Sequence, residues 1–385
     1  MSSKILVTGA AGYIGGSLIA DFLNESKSES DSTPFTISKD HIVATVRSQE
    51  QADALSKLDI PVLQLDLDDE EAVAAAIREH KINIIVHTTS AIDPTAALYL
   101  INALAKQARV TGQKVYFLHT SGFSAFYPST GWPPEQSRDT DAVFETEKQL
   151  AESFPIRNTD VSIIEHAVEQ GVTSFVVVPS LVYGKGTGEW NKLSVVLPVY
   201  VQAALAHRAV YRFPENTMLL VSLLDISTSL TQPISAQKVS AVHISDLTGL
   251  YKLIIDKIVR GESETISRNK EGYYFALAHD VFLGDVLEHL AVALKSRGLA
   301  TDAMTRIYPD DQVAAESLGV PEQFVQTLWN SGDNMVAEIA RKLGWRPAWS
   351  KERFFDNIDD EIDAVLELGK AKSGLIDSLF KAAQG

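Results

Sequence analysis

The chain has 385 residues, a length that allows two or three domains of ordinary size. Apolar residues make up 45% and charged residues 22% of the sequence, a globular balance that excludes a wholly disordered protein. Acidic residues outnumber basic residues by 50 to 34, and the resulting net charge of −16 repels phosphate backbones, so nucleic acid is not an expected partner.

The sequence contains no cysteine, which excludes disulfides, thiolate metal sites and a catalytic thiol. The first residues enter a strand-like run directly, without the charged segment and long apolar stretch of a secretory signal. The longest apolar runs, such as Met218–Leu224, are far shorter than a membrane span. We therefore expect a cytoplasmic protein that has no membrane partner.

The first half of the sequence alternates short apolar runs with segments of helical spacing. Six runs predict strands: Lys4–Thr8, Ile42–Arg47, Pro61–Asp66, Ile82–His87, Val115–Ser121 and Ser174–Val178. Five segments between them predict helices: Tyr13–Asn24, Gln49–Leu58, Asp69–His80, a helix that opens at Asp93-Pro94, and Asp160–Gln170. Apolar runs separated by helices are typical of parallel strands buried on both faces. The predicted fold class is α/β, a Rossmann-type doubly wound parallel sheet.

The rest of the chain is less regular. Residues 24–40 are rich in serine and charge and predict a surface insertion. We predict a sheet domain over 1–184, to which 239–260 return, and a smaller C-terminal lobe over 185–238 and 261–350. Residues 351–385 predict a helical tail, and six apolar residues form its expected buried stripe: Phe354, Phe355, Ile358, Ile362, Val365 and Leu366.

A glycine-rich turn, Thr8-Gly9-Ala10-Ala11-Gly12-Tyr13-Ile14-Gly15, joins the first predicted strand to the first helix. The first glycine (Gly9) permits a tight turn, the second (Gly12) lets the backbone approach a pyrophosphate, and the third (Gly15) allows close helix–strand packing. The N–H groups of the helix start, at Tyr13 and Ile14, then hold the phosphates. An ordinary glycine turn is the alternative, but the βαβ context favours dinucleotide binding.

These features resemble the extended short-chain dehydrogenase/reductase superfamily, in its NAD-dependent epimerase/dehydratase group. Besides the glycine turn, five stretches fit in the same order: 64–67 (Q-L-D-L), 86–90 (V-H-T-T-S), 119–122 (H-T-S-G), 179–184 (P-S-L-V-Y-G) and 242–247 (V-H-I-S-D-L). The resemblance covers residues 4 to about 250. It implies an NAD(P) cofactor and a small-molecule substrate held by the smaller lobe, and it allows a homodimer.

The resemblance also implies roles for single residues along the cofactor. Asp66 would bind the adenine amino group, with Leu67 packed on the ring, although Asp66 could instead cap the turn that follows it. Thr88 and Thr89 would lie along the cofactor ribose. Three residues after the sixth predicted strand would border the nicotinamide: Pro179, Ser180 and Leu181.

Arg47 bears on which dinucleotide binds. NAD enzymes of this shape usually end the second strand with an acid that holds the ribose 2′-hydroxyl. Here the strand ends Val46-Arg47-Ser48, and a guanidinium can pair bidentately with a 2′-phosphate. A solvated surface arginine is the alternative. We therefore expect NADP(H) as the preferred cofactor, with NAD(H) as the second possibility.

The expected proton chemistry is incomplete in this sequence. The family places a Ser or Thr after the fifth strand, which Ser121 matches, and a Tyr-x-x-x-Lys helix supplies the proton. The nearest match to that helix is Phe144-Glu145-Thr146-Glu147-Lys148, which keeps Lys148 but has Phe in place of the phenol. Ser121 and Lys148 are the predicted catalytic residues.

A second way of aligning the sequence with the family places the Tyr and Lys positions near Arg157–Val161, in the helix directly before the sixth strand. Neither Tyr nor Lys is present there. Tyr127, Tyr183 and His119 are candidate replacements for the tyrosine, although each is more often structural. The histidines lack i, i+4 spacing, so no metal site is expected.

The residues favour an NADP(H)-dependent enzyme that acts on a small or medium organic carbonyl or alcohol. Two alternatives remain open because the tyrosine is missing. One is a redox-inactive NAD(P)-binding sensor or scaffold, and the other is a non-redox isomerase or cyclase on the same fold.

Overall fold

The computed structural model describes residues 3–25, 37–214, 238–372 and 374–382. The strands, in chain order, are β1 (Ile5–Thr8), β2 (Ile42–Val46), β3 (Val62–Gln64), β4 (Ile84–His87), β5 (Tyr116–Thr120), β6 (Ser137–Arg138), β7 (Thr173–Pro179), β8 (Leu181–Tyr183), β9 (Tyr211–Arg212), β10 (Lys238–His243), β11 (Tyr273–Ala276), β12 (His279–Phe282), β13 (Arg306–Ile307) and β14 (Met335–Val336). The helices, in chain order, are α1 (Tyr13–Glu25), α2 (Gln49–Leu55), α3 (Glu70–Glu79), α4 (Thr95–Thr111), α5 (Val143–Gln149), α6 (Pro155–Gln170), α7 (Val196–His207), α8 (Ile244–Val259), α9 (Leu283–Ser296), α10 (Asp311–Leu318), α11 (Ile339–Leu343), α12 (Lys351–Asp356), α13 (Ile358–Leu368) and α14 (Leu375–Ala382). Most of the predicted insertion at 24–40, and the 215–237 part of the predicted lobe, lie outside the described residues.

Seven strands form a central sheet in the order β11-β7-β5-β4-β1-β2-β3. Each neighbouring pair is parallel. The strand order reverses at β1, because the chain runs outward from β1 through β2 to β3 and then returns to β4 on the other side. In open α/β sheets, ligands bind at the carboxyl ends of the strands beside such a reversal. The predicted fold class is therefore confirmed, and the ends of β1 and β4 locate the cleft.

Helices cover both faces of the sheet. α1 and α8 lie on one face and pack against each other, while α3, α4 and α6 lie on the other. The strand residues Val7 and Ile84 are fully buried, as expected for parallel strands between two helical layers. Full burial of such a side chain contributes about 1.5–3 kcal/mol relative to exposure.

The helix before β7 begins five residues earlier than predicted. α6 starts at Pro155 rather than at Asp160, with the proline in the first turn, where its missing N–H leaves no hydrogen bond unmade. Phe154 before it has extended backbone angles. As a result Asp160 lies in the second turn of α6, and its side chain points into the protein.

The smaller lobe is built on a three-stranded sheet in which β10 pairs with β8 and with β12. α8 follows β10 and packs on the central sheet. Of the segment 239–260, which we predicted to return to the sheet domain, residues 239–243 belong to β10 and pair with the strands of the lobe. The structure differs from the predicted lobe at β11, which joins the central sheet beside β7 as its seventh strand. The short aromatic run Tyr273–Ala276 carries no signal that separates an edge strand of the main sheet from a strand of the lobe.

The C-terminal tail packs onto the lobe through α13, which contacts α7 and α9. Four members of the predicted stripe are buried: Phe354, Ile358, Ile362 and Val365. Phe355 is half-buried, and the prediction for Leu366 is wrong, since that side chain is 51% exposed. Within the described residues, no helix is both long enough and apolar enough to cross a membrane.

Candidate active site

The glycine turn after β1 leaves no room for side chains. Gly9 has a φ of +68°, and its carbonyl oxygen accepts a 2.7 Å hydrogen bond from the Gly12 N–H. A Cβ at Gly9 would come within 2.7 Å of Thr88 Oγ1, and a Cβ at Gly15 would collide with the Gly9 carbonyl oxygen. This bare backbone at the N-terminus of α1 fits the pyrophosphate of a dinucleotide, since α1 offers unpaired N–H groups there.

The side chains of Tyr13 and Ile14 face the protein rather than the turn. The Tyr13 hydroxyl donates a 2.7 Å hydrogen bond to the Gly184 carbonyl oxygen, and the Gly184 N–H donates to Glu361 Oε1 at 2.5 Å. Burial, followed by the nearby Glu361 carboxylate, raises the pKa of Tyr13 well above its usual value. Ile14 packs against the main core. Tyr13 and Ile14 therefore have only their backbone N–H groups to offer a phosphate.

An open cavity of about 410 Å³ lies at the ends of β2 and β3, lined by Arg47, Gln64, Leu65 and Asp66. The Arg47 side chain is exposed there. Asp66 Oδ1 accepts a 3.1 Å hydrogen bond from the Asp68 N–H, so the carboxylate caps its turn and also lines the cavity. Leu67 packs against the core on the α3 and α4 face of the sheet.

The two threonines after β4 have different surroundings. The Thr88 hydroxyl donates a 2.7 Å hydrogen bond to the Thr8 carbonyl oxygen, which holds β4 beneath the glycine turn. Thr89 is exposed, and its Oγ1 lies 2.7 Å from Nε2 of His87. Of the two hydroxyls predicted to lie along the ribose, the Thr89 hydroxyl is the one that reaches the cleft.

The residues after β7 are held by the neighbouring strand. Pro179 is paired with Ala276 of β11, and the Ser180 hydroxyl donates a 2.8 Å hydrogen bond to the Ala276 carbonyl oxygen. Leu181 begins β8 and is half-buried. The structure places these three residues at the carboxyl edge of the central sheet, where they can border a ligand by their shape.

Ser121 directly follows β5 and is 4% exposed. Its hydroxyl donates a 2.5 Å hydrogen bond to Oδ2 of Asp160, a fully buried carboxylate of α6. Asp160 lies within Arg157–Val161, the segment that the second alternative from the sequence assigned to the family's Tyr and Lys positions. The structure therefore brings that helix, and not α5, to the predicted catalytic serine.

Lys148 lies on the protein surface, where its ammonium pairs with Glu165 at 2.5 Å and its side chain is 49% exposed. Phe144 on the same helix is buried, and the Lys270 ammonium lies 4.7 Å from the centre of its ring. The match at Phe144–Lys148 predicted a catalytic role for Lys148. The structure places the Lys148 ammonium at the surface, away from Ser121. The physical reason is that α5 ends at Gln149, and a second helix, α6, then packs under β5 and β7.

A second buried carboxyl group neighbours Asp160. Glu147 is fully buried and accepts a hydrogen bond from the Tyr273 hydroxyl of β11. Burial and then the Asp160 carboxylate raise the pKa of Glu147 well above its usual value, which favours the neutral form of Glu147. The buried Arg157 guanidinium supplies positive charge nearby while donating to the carbonyl oxygens of Ala125 and Thr130.

Two histidines extend the polar cluster from Ser121 toward the cleft. His119 and His87 are direct partners in the β4–β5 register, and their Nδ1 atoms are 3.1 Å apart. Nε2 of His119 lies 3.0 Å from Oδ1 of Asp160. Burial and then His119 lower the pKa of His87 well below its usual value, so this imidazole is neutral.

Of the three candidate replacements for the missing tyrosine, His119 is the one that contacts the Ser121–Asp160 pair. Tyr127 packs edge-on against Phe123. Tyr183 is buried in the lobe, 4.6 Å from the ring of Phe354. Among the described residues, the Ser121 hydroxyl is bonded to Asp160 rather than to either phenol, and no group of three or more His, Asp or Glu side chains in this part of the chain could bind a metal ion.

The model of the NAD dependent epimerase/dehydratase family matches residues 5–266, more than half of the chain. The chain belongs to this family. The resemblance drawn from the sequence motifs is thereby confirmed. No curated protein sequence matches the chain.

Solved structures of similar fold include UDP-glucose 4-epimerase from Thermotoga maritima, with UDP-glucose, at 15% identity and a TM-score of 0.59, covering 94% of this chain and 99% of that one. L-threonine dehydrogenase from Phytophthora infestans matches at 16% identity and a TM-score of 0.58, with coverages of 94% and 99%. UDP-glucose 4-epimerase from Thermus thermophilus, in complex with NAD, matches at 15% identity and a TM-score of 0.56, again covering 94% and 99%. At these identities the likeness shows the fold.

Proposed function

We propose that this protein is an NADP(H)-dependent oxidoreductase that acts on a small or medium organic carbonyl or alcohol. The observation that carries the proposal is the Ser121 hydroxyl, which sits at the carboxyl edge of the sheet and donates to the buried Asp160 carboxylate. When bound, the nicotinamide group supplies or accepts a hydride. The chain itself has to bind the substrate oxygen and move a proton to or from it, and a hydroxyl bonded to a carboxylate can do both.

The position of Ser121 supports a small reacting group. Because the residue is 4% exposed, only a small group could contact its hydroxyl. A carbonyl or primary or secondary hydroxyl group fits such an approach. The bulk of a medium-sized substrate would then lie outward, toward the smaller lobe.

Arg47 supports the preference for NADP(H). It shares a cavity with Asp66 at the ends of β2 and β3, on the side of the glycine turn where the adenine half of a dinucleotide extends in this fold. A guanidinium in that cavity attracts a 2′-phosphate, and the acid that usually holds a free 2′-hydroxyl is absent from the end of β2.

The proposal is tested by calorimetry with NADPH and NADH, followed by turnover assays that monitor the reduced cofactor. The substrate panel consists of small aldehydes, ketones and alcohols. We expect tighter binding of NADPH and measurable turnover of part of the panel. Tight NADPH binding without turnover of any carbonyl or alcohol would instead support the cofactor sensor, and equal affinity for both cofactors would remove the argument from Arg47.

A further inference from the structure

Five side chains form a continuous polar path from the reaction edge of the sheet to the exposed cleft beside the glycine turn. Ser121 Oγ is 2.5 Å from Asp160 Oδ2, and Asp160 Oδ1 is 3.0 Å from His119 Nε2. The two histidines meet at 3.1 Å through their Nδ1 atoms, and His87 Nε2 is 2.7 Å from Thr89 Oγ1. The two atoms of each link lie within hydrogen-bond distance of each other.

The path is buried except at its outer end. Asp160, His119 and His87 are fully buried, whereas Thr89 is exposed. Burying three titratable side chains is costly unless their polar atoms are paired, and hydrophobic residues at the same positions would avoid that cost. Their chain-like arrangement, open to the cleft at one end and to Ser121 at the other, fits proton transfer.

We propose that Asp160, acting through Ser121, takes the place of the missing tyrosine as proton acceptor and donor, and that His119, His87 and Thr89 carry the proton between Asp160 and the cleft. This inference rests on the proposed function. Ser121 touches the substrate oxygen, and the other four residues act through it.

The step balances for oxidation of an alcohol. With NADP⁺ bound, the cofactor would accept the hydride that the breaking C–H bond releases, while the substrate O–H bond breaks and a C=O bond forms. Ser121 Oγ takes the hydroxyl proton as its own proton passes to Asp160 Oδ2. Reduction of a carbonyl runs the same step backward, with NADPH as the hydride donor.

The onward transfer uses one proton gained and one lost at each group. After Oδ2 of Asp160 has taken the proton, the carboxyl group turns about its Cβ–Cγ bond so that the protonated oxygen faces Nε2 of His119. His119 takes that proton at Nε2 as its Nδ1 proton passes to Nδ1 of His87. His87 then releases its Nε2 proton to the Thr89 hydroxyl, and Thr89 releases a proton to water. The His119 Nε2 and Asp160 Oδ1 atoms are close but not aligned as a hydrogen bond in the described structure, so this link requires a small rotation of the ring.

The charged and titratable groups that face Asp160 come from four elements. They are His119 of β5, Glu147 of α5 and Tyr273 of β11, together with Arg157 of α6, which acts on Glu147. The raised pKa of Glu147 favours its neutral form, and Asp160 is the carboxyl group that contacts both Ser121 and His119. The neutral state of His87 fits a relay group that passes protons without storing charge.

The first experiment compares Asp160→Asn, His119→Gln and Thr89→Val with the wild type. Asp160→Asn should lower kcat by roughly 10²–10⁴-fold, the range of a lost general acid or base, and shift the pH dependence of kcat. Asp160→Glu should restore part of that loss. NADPH affinity by calorimetry should stay at the wild-type value in Asp160→Asn and His119→Gln, since neither change alters the glycine turn, the Arg47 cavity or the ribose contact predicted for Thr89.

Thr120→Val is the matched control. Thr120 is the last residue of β5 and lies between His119 and Ser121 in the chain. It is also a buried polar residue, bonded to the Tyr251 hydroxyl at 2.6 Å on the opposite face of the sheet. Its replacement should leave kcat and the pH profile unchanged. An Asp160→Asn variant that binds NADPH normally and keeps the wild-type kcat overturns the proposal.

The second experiment needs no substrate and separates this inference from the proposed function. In the protein without cofactor, proton NMR follows the hydrogen-bonded proton between the two Nδ1 atoms and measures its exchange with water. Thr89→Val should slow that exchange by about tenfold or more, because the exit to solvent is blocked, while Thr120→Val should not change it. Unchanged exchange in Thr89→Val overturns the relay, whether or not the wild type turns over any substrate.

Discussion

The two ends of the site are built in different ways. At the phosphate end, Gly9, Gly12 and Gly15 lie within one turn and one helix start, and their effect comes from the backbone. At the proton-handling end, Ser121 and Asp160 are 39 positions apart in the chain and meet only because α6 packs beneath β5. A site formed by the backbone of one turn is visible as a local sequence motif. A site formed by side chains from different elements of the sheet has no such motif.

The histidine pair shows the same contrast within the sheet. His87 and His119 are 32 positions apart and become neighbours through the parallel register of β4 and β5, with ring centres 5.3 Å apart. Neither residue has a motif around it that indicates the other. Their partnership depends on which strands are adjacent, and that is decided by the whole topology.

The largest expected effect is at the phosphate end, where Gly12→Val should abolish dinucleotide binding. A side chain at this position would occupy the space through which a pyrophosphate approaches the N–H groups of α1, and a loss of at least 100-fold in affinity corresponds to about 3 kcal/mol. Calorimetry with NADPH measures the loss, and circular dichroism checks the fold. Gly249→Ala in α8 is the control, since a Cβ there meets nothing within 4 Å. Normal binding by Gly12→Val would place the cofactor elsewhere.

A smaller effect is expected from Glu361 of the C-terminal tail. Glu361 is connected to Tyr13 at the start of α1 through hydrogen bonds to Gly184. Burial raises the pKa of Glu361 from 4.5 to about 7, against the opposing hydrogen bond from the Gly184 N–H. Because the folded pKa is the higher one, the folded state binds the proton more tightly, and stability is lost as pH rises from 4.5 toward 7. Relative to Glu361→Gln, the wild type should lose up to about 3 kcal/mol of unfolding free energy over that window.

Chemical denaturation below pH 4.5 and above pH 7 measures this difference. Glu367→Gln on the same helix is the control, because its carboxylate is exposed and pairs with Lys185. The two variants should differ in pH dependence. If the unfolding free energies of the two variants change with pH in the same way, burial does not raise the pKa of Glu361.

Arg47→Ala should weaken NADPH binding by roughly 10–100-fold, the value of about 1.5–3 kcal/mol expected for a charge-assisted hydrogen bond. NADH affinity should not change, since NADH has no 2′-phosphate. The comparison is made by calorimetry with both cofactors. Arg109→Ala, which removes another exposed arginine on the α4 surface beside Gln170, should affect neither cofactor. A loss of affinity for both would mean that Arg47 acts through general charge.

The smallest expected effect is that of Phe144→Tyr on activity. From the sequence alone, this change would restore a Tyr-x-x-x-Lys pair and raise the turnover of simple aldehydes. In the structure Phe144 is 2% exposed and Lys148 pairs with Glu165 at the surface, so we expect no gain in turnover. A buried hydroxyl without a partner should instead lower the unfolding free energy by about 1–3 kcal/mol, measured by denaturation. A gain in turnover would instead support the alignment in which Phe144 and Lys148 occupy the family's Tyr and Lys positions.

Much of the fold was predictable because the strands of a buried parallel sheet are short apolar runs bounded by helices. All six predicted strands are present, with ends that differ by a few residues, such as β3 at Val62–Gln64. The seventh strand, β11, was missed because a run of four aromatic and small residues is equally typical of an edge strand of the central sheet and of a strand in the smaller lobe. The start of α6 was missed because Pro155 reads equally well as a loop residue and as the first residue of a helix.

The sequence by itself determined the Rossmann-type sheet, the glycine turn, the family and the absence of the usual tyrosine, since each of these depends on residues close together in the chain. Only the tertiary structure decided which helix faces Ser121, that Lys148 lies at the surface, and that Asp160, His119 and His87 join in one buried path. The physical reason is that hydrogen bonds between side chains of different elements require the register of the sheet and the packing of the helices, and neither of these is encoded in a local pattern.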